Sequence, residues 1–299
     1  MIRNKIYYDS KVLGKYNIVL DGTRFQKANK EVSSEWLYET IENKKTWYLS
    51  ILEMKLVAND MAISMMSEMI RNEDRKKENE AEEEIEKKSI EEIKQDCELN
   101  AAKRLIPRFR RMYPRLPVRI IADSLYPSIK LIELCEKEKM EYIFVLKDKR
   151  IPSILEEFLA IVSMAEGNRE IMEDEEKITL TMWENGIYYR EKKINVIRQI
   201  IKNKKTEKYS IWTWITNREI TRKNLYKIIY CARLRDSIEN QGFKEQRVTS
   251  GIDLEHVYSK NIKAIEVIYT IIQITHLILQ IIEHSNICGD FGKRYGSVK

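Results

Sequence analysis

The sequence is poor in the residues that dominate loop-rich and repetitive proteins. Only nine glycines and five prolines occur among 299 residues, which excludes collagen-like and low-complexity chains. Hydrophobic residues make up 43% of the chain and charged residues 33%. A chain of this size and composition can bury a sizeable core in one large domain or two small ones, and we expect much of it to be helical.

Cysteine and histidine are also scarce, and their spacing excludes two common kinds of site. The four cysteines are Cys97, Cys135, Cys231 and Cys288. They include no C-x-x-C pair, so the sequence predicts neither a zinc knuckle nor a disulfide framework, and a reducing cytoplasm fits them best. The histidines lack metal-ligand partners at suitable spacing, and we expect His276 to be a packed core residue.

No apolar run has the features of a targeting signal or a clean membrane span. Residues 1–9 contain neither an apolar stretch nor a small-residue cleavage site, so we expect no secretory signal. The run 264–282 is long enough to cross a membrane, but an acid, two glutamines and a histidine interrupt it. We therefore expect a buried C-terminal helix and no membrane partner.

The net charge of +6 is distributed unevenly along the chain. Residues 73–98 hold twelve acidic and six basic residues, which we expect to form a solvated helix or a loop. Two later stretches are strongly basic: 100–119 has seven Lys or Arg and no acid, and 190–208 has eight against two acids. These stretches suit a polyanion such as DNA, but lysines that merely solvate the surface would give the same counts.

Two short apolar runs, each followed by an aspartate, predict the centre of the fold. Residues 17–20 are expected to form a buried strand that ends on Asp21, with a turn at the following glycine. Residues 118–122 are expected to form a second buried strand, which ends on Asp123. An amphipathic helix at 128–139 and a strand at 142–146 then complete a βαβ unit, so we predict a three-layer α/β core.

The remaining segments predict additions to this core. Residues 36–65 have the pattern of an antiparallel meander, and 151–217 that of short strands, which we interpret as a β-rich insertion. Residues 221–247 and 259–284 are predicted to be helices. The predicted organisation is an N-terminal remnant (1–16), a core first part (17–150), the insertion (151–218), a core last part (219–285) and a tail (286–299).

Three acids stand out as candidate metal ligands: Asp21, Asp123 and Glu239. Magnesium ions prefer carboxylate oxygens, and two such ions need several of them at one point. Each acid also has an ordinary explanation. An Asp after a strand commonly caps a turn, and Glu239 could pair with Arg235 four residues earlier on a helix. Spacing alone leaves both explanations open.

Local motifs around these acids resemble those of insertion-sequence DDE transposases. The acids lie in the runs 19–23 (VLDGT), 122–126 (ADSLY) and 235–243 (RDSIENQGF). Further similar runs are 53–57 (EMKLV), 70–73 (IRNE), 94–98 (KQDCE), 214–217 (WITN) and 254–259 (LEHVYS). The resemblance covers about residues 17 to 283. It implies an RNase H-like mixed sheet flanked by helices, with a β-rich insertion before the last catalytic helix.

The resemblance also implies an activity and a set of partners. Asp21, Asp123 and Glu239 would hold two Mg²⁺ or Mn²⁺ ions for DNA strand cleavage and strand transfer at the ends of an insertion sequence. The partners would be terminal-repeat DNA and target DNA, which a homodimer of the chain would bind. The protein would then lie in the cytoplasm, associated with the nucleoid.

The predicted DNA contacts come from two parts of the chain. Three follow from the motif around the third acid: Arg235, Lys244 and Arg247. In that motif Ala232 stands where the family has Tyr, and Gln246 where it has Lys, so we expect Arg247 to replace the missing lysine. Three more come from the first basic stretch: Arg108, Arg110 and Arg111. Trp183, Trp212 and Trp214 of the predicted insertion could stack on unpaired bases, although strand tryptophans more often pack in the core or across strands.

Two other functions fit the sequence less well. One is an inactive, truncated remnant that binds DNA or a full-length transposase, and the other is a host RNase H-like nuclease. Only about sixteen residues precede the first predicted strand, too few for an independent end-recognition domain. We therefore expect metal-dependent nicking and little paired-end excision from this chain alone.

Overall fold

The computed structural model describes residues 10–32, 36–42, 44–58, 61–70, 90–164, 167–235 and 254–284. It is mixed α/β, with a large mixed sheet flanked by helices. The described residues divide into two compact units. Unit one draws on Met1–Leu20 and Ala102–Arg235, and unit two on Asp21–Ala101 and Asp236–Lys299.

The strands, in chain order, are β1 (Tyr16–Ala28), β2 (Leu37–Ile41), β3 (Lys44–Ala58), β4 (Met61–Ile70), β5 (Val118–Ala122), β6 (Glu141–Val145), β7 (Arg169–Glu173), β8 (Lys177–Tyr189), β9 (Lys192–Asn203) and β10 (Tyr209–Thr216). The helices are α1 (Ile90–Met112), α2 (Ile129–Lys137), α3 (Pro152–Met164), α4 (Leu225–Arg233) and α5 (Ile262–His284). Strand β1 and helix α1 each contribute residues to both units.

Unit one is built on parallel strands extended by antiparallel ones. The strand order is β1, β5, β6, β10, β9, β8, β7. Strands β1, β5 and β6 are parallel, and α2 connects β5 to β6, so the predicted βαβ unit is confirmed. In the register of β1 and β5, Leu20 lies opposite Ala122. Both residues are fully buried and directly precede Asp21 and Asp123 in the chain.

Unit two is an antiparallel sheet covered by α5. Strand β3 pairs with β2 and β4, as the predicted meander requires, and lies beside β1. An apolar cluster that includes Phe25, Trp36 and Leu49 packs against Ile265 and Tyr269 of α5. Polar bonds fix the same helix on the sheet: Tyr269 Oη donates to Glu53 at 2.7 Å, and Lys55 Nζ donates to Gln273 at 3.2 Å.

Helix α5 is less buried than the sequence suggested. The segment Ile262–Ile282 is long and apolar enough to cross a membrane, with a mean hydropathy of 1.7, yet only 28% of it is buried. Its inward face carries polar residues, among them His276 and Gln280, whereas isoleucines such as Ile271, Ile274 and Ile278 are about half exposed. The expected core position of His276 is confirmed, because only 3% of this residue is exposed.

Three predicted segments differ from the structure. Strand β1 does not end at Asp21 but continues to Ala28, so Gly22 lies in extended backbone rather than in a turn. Residues 177–189, in the segment expected to form short strands, are one strand, because a bulge at Gly186, which has a φ of +79°, lets β8 continue. The predicted β-rich insertion begins instead with a helix, α3, whose first turn holds Pro152, a position that suits proline.

The structure describes only part of the helix that was predicted at 221–247. Helix α4 accounts for Leu225–Arg233, and residues 236–253 lie outside the described residues.

Candidate functional site

Asp123 lies at the carboxyl end of β5, with its two oxygens in different environments. Its Oδ1 accepts the backbone N–H of Leu125 at 2.8 Å, which is a turn-capping bond. Its Oδ2 lies 3.8 Å from Nη2 of Arg235. The side chain keeps 20% of its surface exposed. The carboxylate is therefore fixed through one oxygen and presents the other to solvent and to a guanidinium.

Arg235 follows helix α4 and faces the carboxylate of Asp123 rather than bulk solvent. Its side chain is 29% exposed, and its Nε is buried without a hydrogen-bond partner. A guanidinium with an unbonded buried N–H can still donate to a carboxylate or phosphate oxygen. From the sequence we expected Arg235 to orient Glu239 or to contact phosphate; its proximity to Asp123 was not predicted.

Asp21 lies on β1, and the residue after it makes room for another carboxylate. A Cβ on Gly22 would lie 2.6 Å from Oε1, 2.7 Å from Cδ and 3.1 Å from Oε2 of Glu98. Glu98 is on α1 and only 3% exposed. The glycine is therefore needed for this close approach and not for a turn. From the sequence, Glu98 is noted only as part of a flanking motif, because no sequence pattern distinguishes a buried acid from the exposed acids of a highly charged helix.

The third predicted acid cannot be placed from this structure. Glu239, Lys244 and Arg247 lie outside the described residues. Among the residues that are described, no group of three or more His, Cys, Asp or Glu side chains is arranged to hold a metal ion. The carboxylate oxygens of Asp21 and of Asp123 are each the hard donor type that Mg²⁺ and Mn²⁺ prefer. A complete ligand set of the predicted kind requires Glu239.

The first basic stretch separates into exposed and internal arginines. Arg104, Arg108 and Arg111 are exposed and follow one another on α1 at spacings of four and three residues, so they share one helix face. We call these three residues the arginine ridge. Arginine side chains of this kind are common contacts to the phosphates of a nucleic acid backbone.

Arg110 has a different environment from the ridge. Its guanidinium donates to the carbonyls of Glu138, Tyr113 and Leu116 at 3.0 to 3.2 Å, and to that of Pro114 at 3.4 Å. Burial is the largest cause that lowers its pKa. Nε and Nη1 of Arg110 therefore bind backbone carbonyls, mostly of the loop between α1 and β5, and are not directed at a phosphate.

The second basic stretch is largely neutralised by neighbouring acids. Lys192 pairs with Glu136, and Lys204 with Glu173, both at 2.7 Å. Lys202 pairs with Glu207 at 2.5 Å, and Arg198 with Asp148 at 3.0 Å. Because the positive charge is offset locally, this stretch is a weaker candidate for a DNA surface than its count of basic residues suggests.

The tryptophans on β10 are stacked on protein groups. The rings of Trp212 and Trp214 are 6.1 Å apart and nearly parallel, and the guanidinium of Arg233 lies 5.5 Å and 5.7 Å from their centroids. Arg233 also donates to Gln199 at 2.6 Å. This cation–π packing accounts for both indoles within the sheet.

Compared with protein-family models and with curated proteins, the chain gives no match.

Proposed function

We propose that this chain is the catalytic portion of a DDE-type transposase, which cleaves and joins DNA strands at the ends of an insertion sequence. One observation carries the proposal. Leu20 and Ala122 pair in neighbouring parallel strands, and each directly precedes an aspartate that the sequence motifs single out. Acids that follow paired positions of adjacent parallel strands, beside the carboxyl end of β5, are suited to a shared site.

The same proposal includes an RNase H-like fold. Three features support it: the parallel strands β1, β5 and β6, the α2 crossover between two of them, and the antiparallel strands β3 and β4 that precede α1. The β-rich segment with β7 to β10 comes before α4 in the chain, where the resemblance expects an insertion. Glu239 follows α4 in the sequence, and in this proposal it lies on a continuation of that helix.

Asp21, Asp123 and Glu239 are the residues that would hold Mg²⁺ or Mn²⁺ in this proposal. Two bound ions would supply activation of the attacking oxygen and charge stabilisation at the leaving oxygen. The chain contributes fixed oxygens: the Leu125 N–H bond holds one oxygen of Asp123 and leaves the other available. A fixed carboxylate loses little freedom on binding a cation or a substrate, which favours precise positioning.

The basic residues have separate roles in the proposal. Arg235 orients Oδ2 of Asp123 and can donate its buried, unbonded Nε to a phosphate oxygen. The arginine ridge attracts the DNA backbone independently of sequence. The role of Arg235 requires Arg rather than Lys, because only a guanidinium can donate to two acceptors in one plane. A second copy of the chain would bind the other DNA end.

The test is cleavage of defined DNA by the purified full chain. The protein is incubated with Mn²⁺ and DNA that carries the inverted repeats flanking its gene, with Asp123→Ala as control. Nicking at the repeat ends, lost in the variant, is the expected result. Cleavage unrelated to the ends would instead indicate a general nuclease. Absence of cleavage would indicate an inactive DNA-binding remnant, and either result would refute the proposal.

A further inference from the structure

Strand β7 forms an open edge of the sheet in unit one. Among the strands that the structure describes, it pairs with β8 on one side and with none on the other. An open edge presents backbone N–H and C=O groups that a strand of another molecule can bind, and proteins commonly block such edges with charged side chains. The centre of β7 is instead apolar, since Ile171 is 68% exposed and Met172 is 56% exposed. This edge is therefore suited to pairing with another strand.

The hydrogen bonds between β7 and β8 determine which backbone groups of β7 face outward. The N–H of Trp183 donates to the carbonyl of Asn168, and the N–H of Asp174 donates to that of Lys177, both at 3.0 Å. Bonded positions alternate along an antiparallel ladder, so the even-numbered residues of β7 are the ones that bond to β8. The outward-facing N–H and C=O groups therefore belong to the odd-numbered residues Arg169, Ile171 and Glu173.

The sequence of β7, Arg-Glu-Ile-Met-Glu, is complementary to itself about its central residue. When two copies of β7 pair in antiparallel orientation around Ile171, Arg169 of each copy lies opposite Glu173 of the other, and the two Ile171 residues face each other. This register pairs all three outward-facing residues, and each pair exchanges two backbone hydrogen bonds. A shift by two residues would leave one of them without a counterpart. The central register is therefore favoured.

The charges of β7 favour a second copy of the chain over other partner strands. Arg169 and Glu173 lie at equal distances in sequence from Ile171 and carry opposite charges. Glu173 also pairs with Lys204, but its side chain remains 59% exposed and can accept a second cation. A partner strand with a single sign of charge would place like charges opposite one end of β7, which destabilises pairing. A second β7 instead presents an opposite charge at both ends.

We propose that β7 is a dimerisation strand, which pairs in antiparallel orientation with β7 of a second copy and joins the two sheets edge to edge. This inference goes beyond the proposed function and rests on neither the metal nor DNA. The dimer would supply the second copy that binds the other DNA end. Because one strand of five residues forms the contact, the interface is small, and we expect reversible dimerisation with a dissociation constant in the micromolar range.

Charge exchange across the two strands is the sharpest test. The association of the full chain is measured by sedimentation velocity over a series of protein concentrations, without metal or DNA. Arg169→Glu and Glu173→Arg each place like charges opposite each other at both ends of β7, so each variant alone should dimerise about tenfold or more weakly than the wild type. Mixed in equal amounts, the two variants should form a heterodimer as readily as the wild type dimerises, because the charges are then opposite in both pairs.

A matched pair of variants tests whether the edge itself is the contact. Ile171→Lys places two like charges at the centre of the proposed interface and should abolish dimerisation. Ile211→Lys makes the same change at a residue that is 49% exposed on β10, a strand with β6 and β9 as its neighbours. This control should dimerise as the wild type does. Equal loss of association in both variants would overturn the assignment to β7.

Hydrogen exchange of the wild type provides a readout that needs no variant. Raising the protein concentration should slow the exchange of the backbone N–H groups of Arg169, Ile171 and Glu173, which face outward. Those of Glu170 and Met172 bond to β8 and should be protected at every concentration. A chain that stays monomeric at all concentrations overturns the proposal, and so does a dimer that protects none of the three outward groups. Neither result depends on whether the chain nicks DNA, so the proposed function is judged separately.

Discussion

The arginine ridge gives a quantitative prediction for DNA binding. The perturbation is the double variant Arg108→Gln and Arg111→Gln, which removes two charges that are exposed on one face of α1. Each phosphate contact contributes about −0.9 to the slope of log affinity against log salt, so we expect the slope to become shallower by about 1.8. Between about 50 and 200 mM salt, this difference corresponds to roughly a tenfold smaller loss of affinity.

The assay is fluorescence anisotropy of a labelled DNA duplex, titrated with the full chain at several salt concentrations. The matched control is Lys192→Gln with Lys204→Gln, which removes the same charge from residues that are paired with Glu136 and Glu173. We expect this control to leave the slope nearly unchanged, because its lysines already have local counter-charges. An unchanged slope in the ridge variant, or an equal change in the control, would refute the assignment of DNA binding to the ridge.

Three further predictions concern single residues. Arg110→Gln should lower the free energy of unfolding, measured in urea, by about 1–2 kcal/mol, because the guanidinium donates to loop carbonyls. DNA affinity should stay within about twofold of the wild type. A loss of affinity without a loss of stability would contradict this prediction. Arg235→Gln should slow single-turnover nicking by roughly 10–100-fold, as expected when a residue that orients the predicted metal ligand Asp123 is lost. A nicking rate within about twofold of the wild type would contradict this prediction. Burial raises the pKa of Glu53, so its contribution to stability is present below the ordinary carboxyl pKa and is lost as pH rises through the folded-state pKa. Glu53→Gln should flatten this dependence in urea unfolding above the ordinary carboxyl pKa, and an unchanged dependence would contradict the prediction.

The central strands were predictable because their sequences carry two signals at once. Residues 118–122 and 142–146 are short apolar runs, and the amphipathic helix between them has its buried residues Leu131, Ile132 and Cys135 on one face. Buried parallel strands and a crossover helix leave few other interpretations. The meander of unit two was predictable for a similar reason, since its strands alternate with polar turns.

Interactions between distant residues could not be predicted. The close approach of Glu98 to Gly22 is one example, because the sequence shows the glycine but not the carboxylate that packs against it. The basic stretch 100–119 likewise gave no sign that some of its arginines are internal. Arg119 is fully buried and donates to Glu141 at 2.8 Å and to Asn17 at 3.0 Å. Charge counts cannot separate such residues from a binding surface.

The motifs selected candidate residues but not their contacts. They selected Asp21 and Asp123, and the structure pairs the residues that precede these acids, Leu20 and Ala122. Two contacts join residues that are far apart in the chain: the ion pair between Arg235 and Asp123, and the close approach of Glu98 to Gly22. Only the folded arrangement brings them together.

The most direct test of the central claim replaces each predicted metal ligand with its amide. Asp21→Asn, Asp123→Asn and Glu239→Gln are compared with Asp148→Asn, an exposed acid paired with Arg198. The readout is the Mn²⁺-dependent nicking rate at saturating DNA that carries the candidate ends. The account predicts that each of the three variants loses at least about 10²-fold and that combining them adds little, because the ligands act as a unit. Asp148→Asn should keep the wild-type rate. Wild-type nicking by any one of the three ligand variants would contradict the shared metal site.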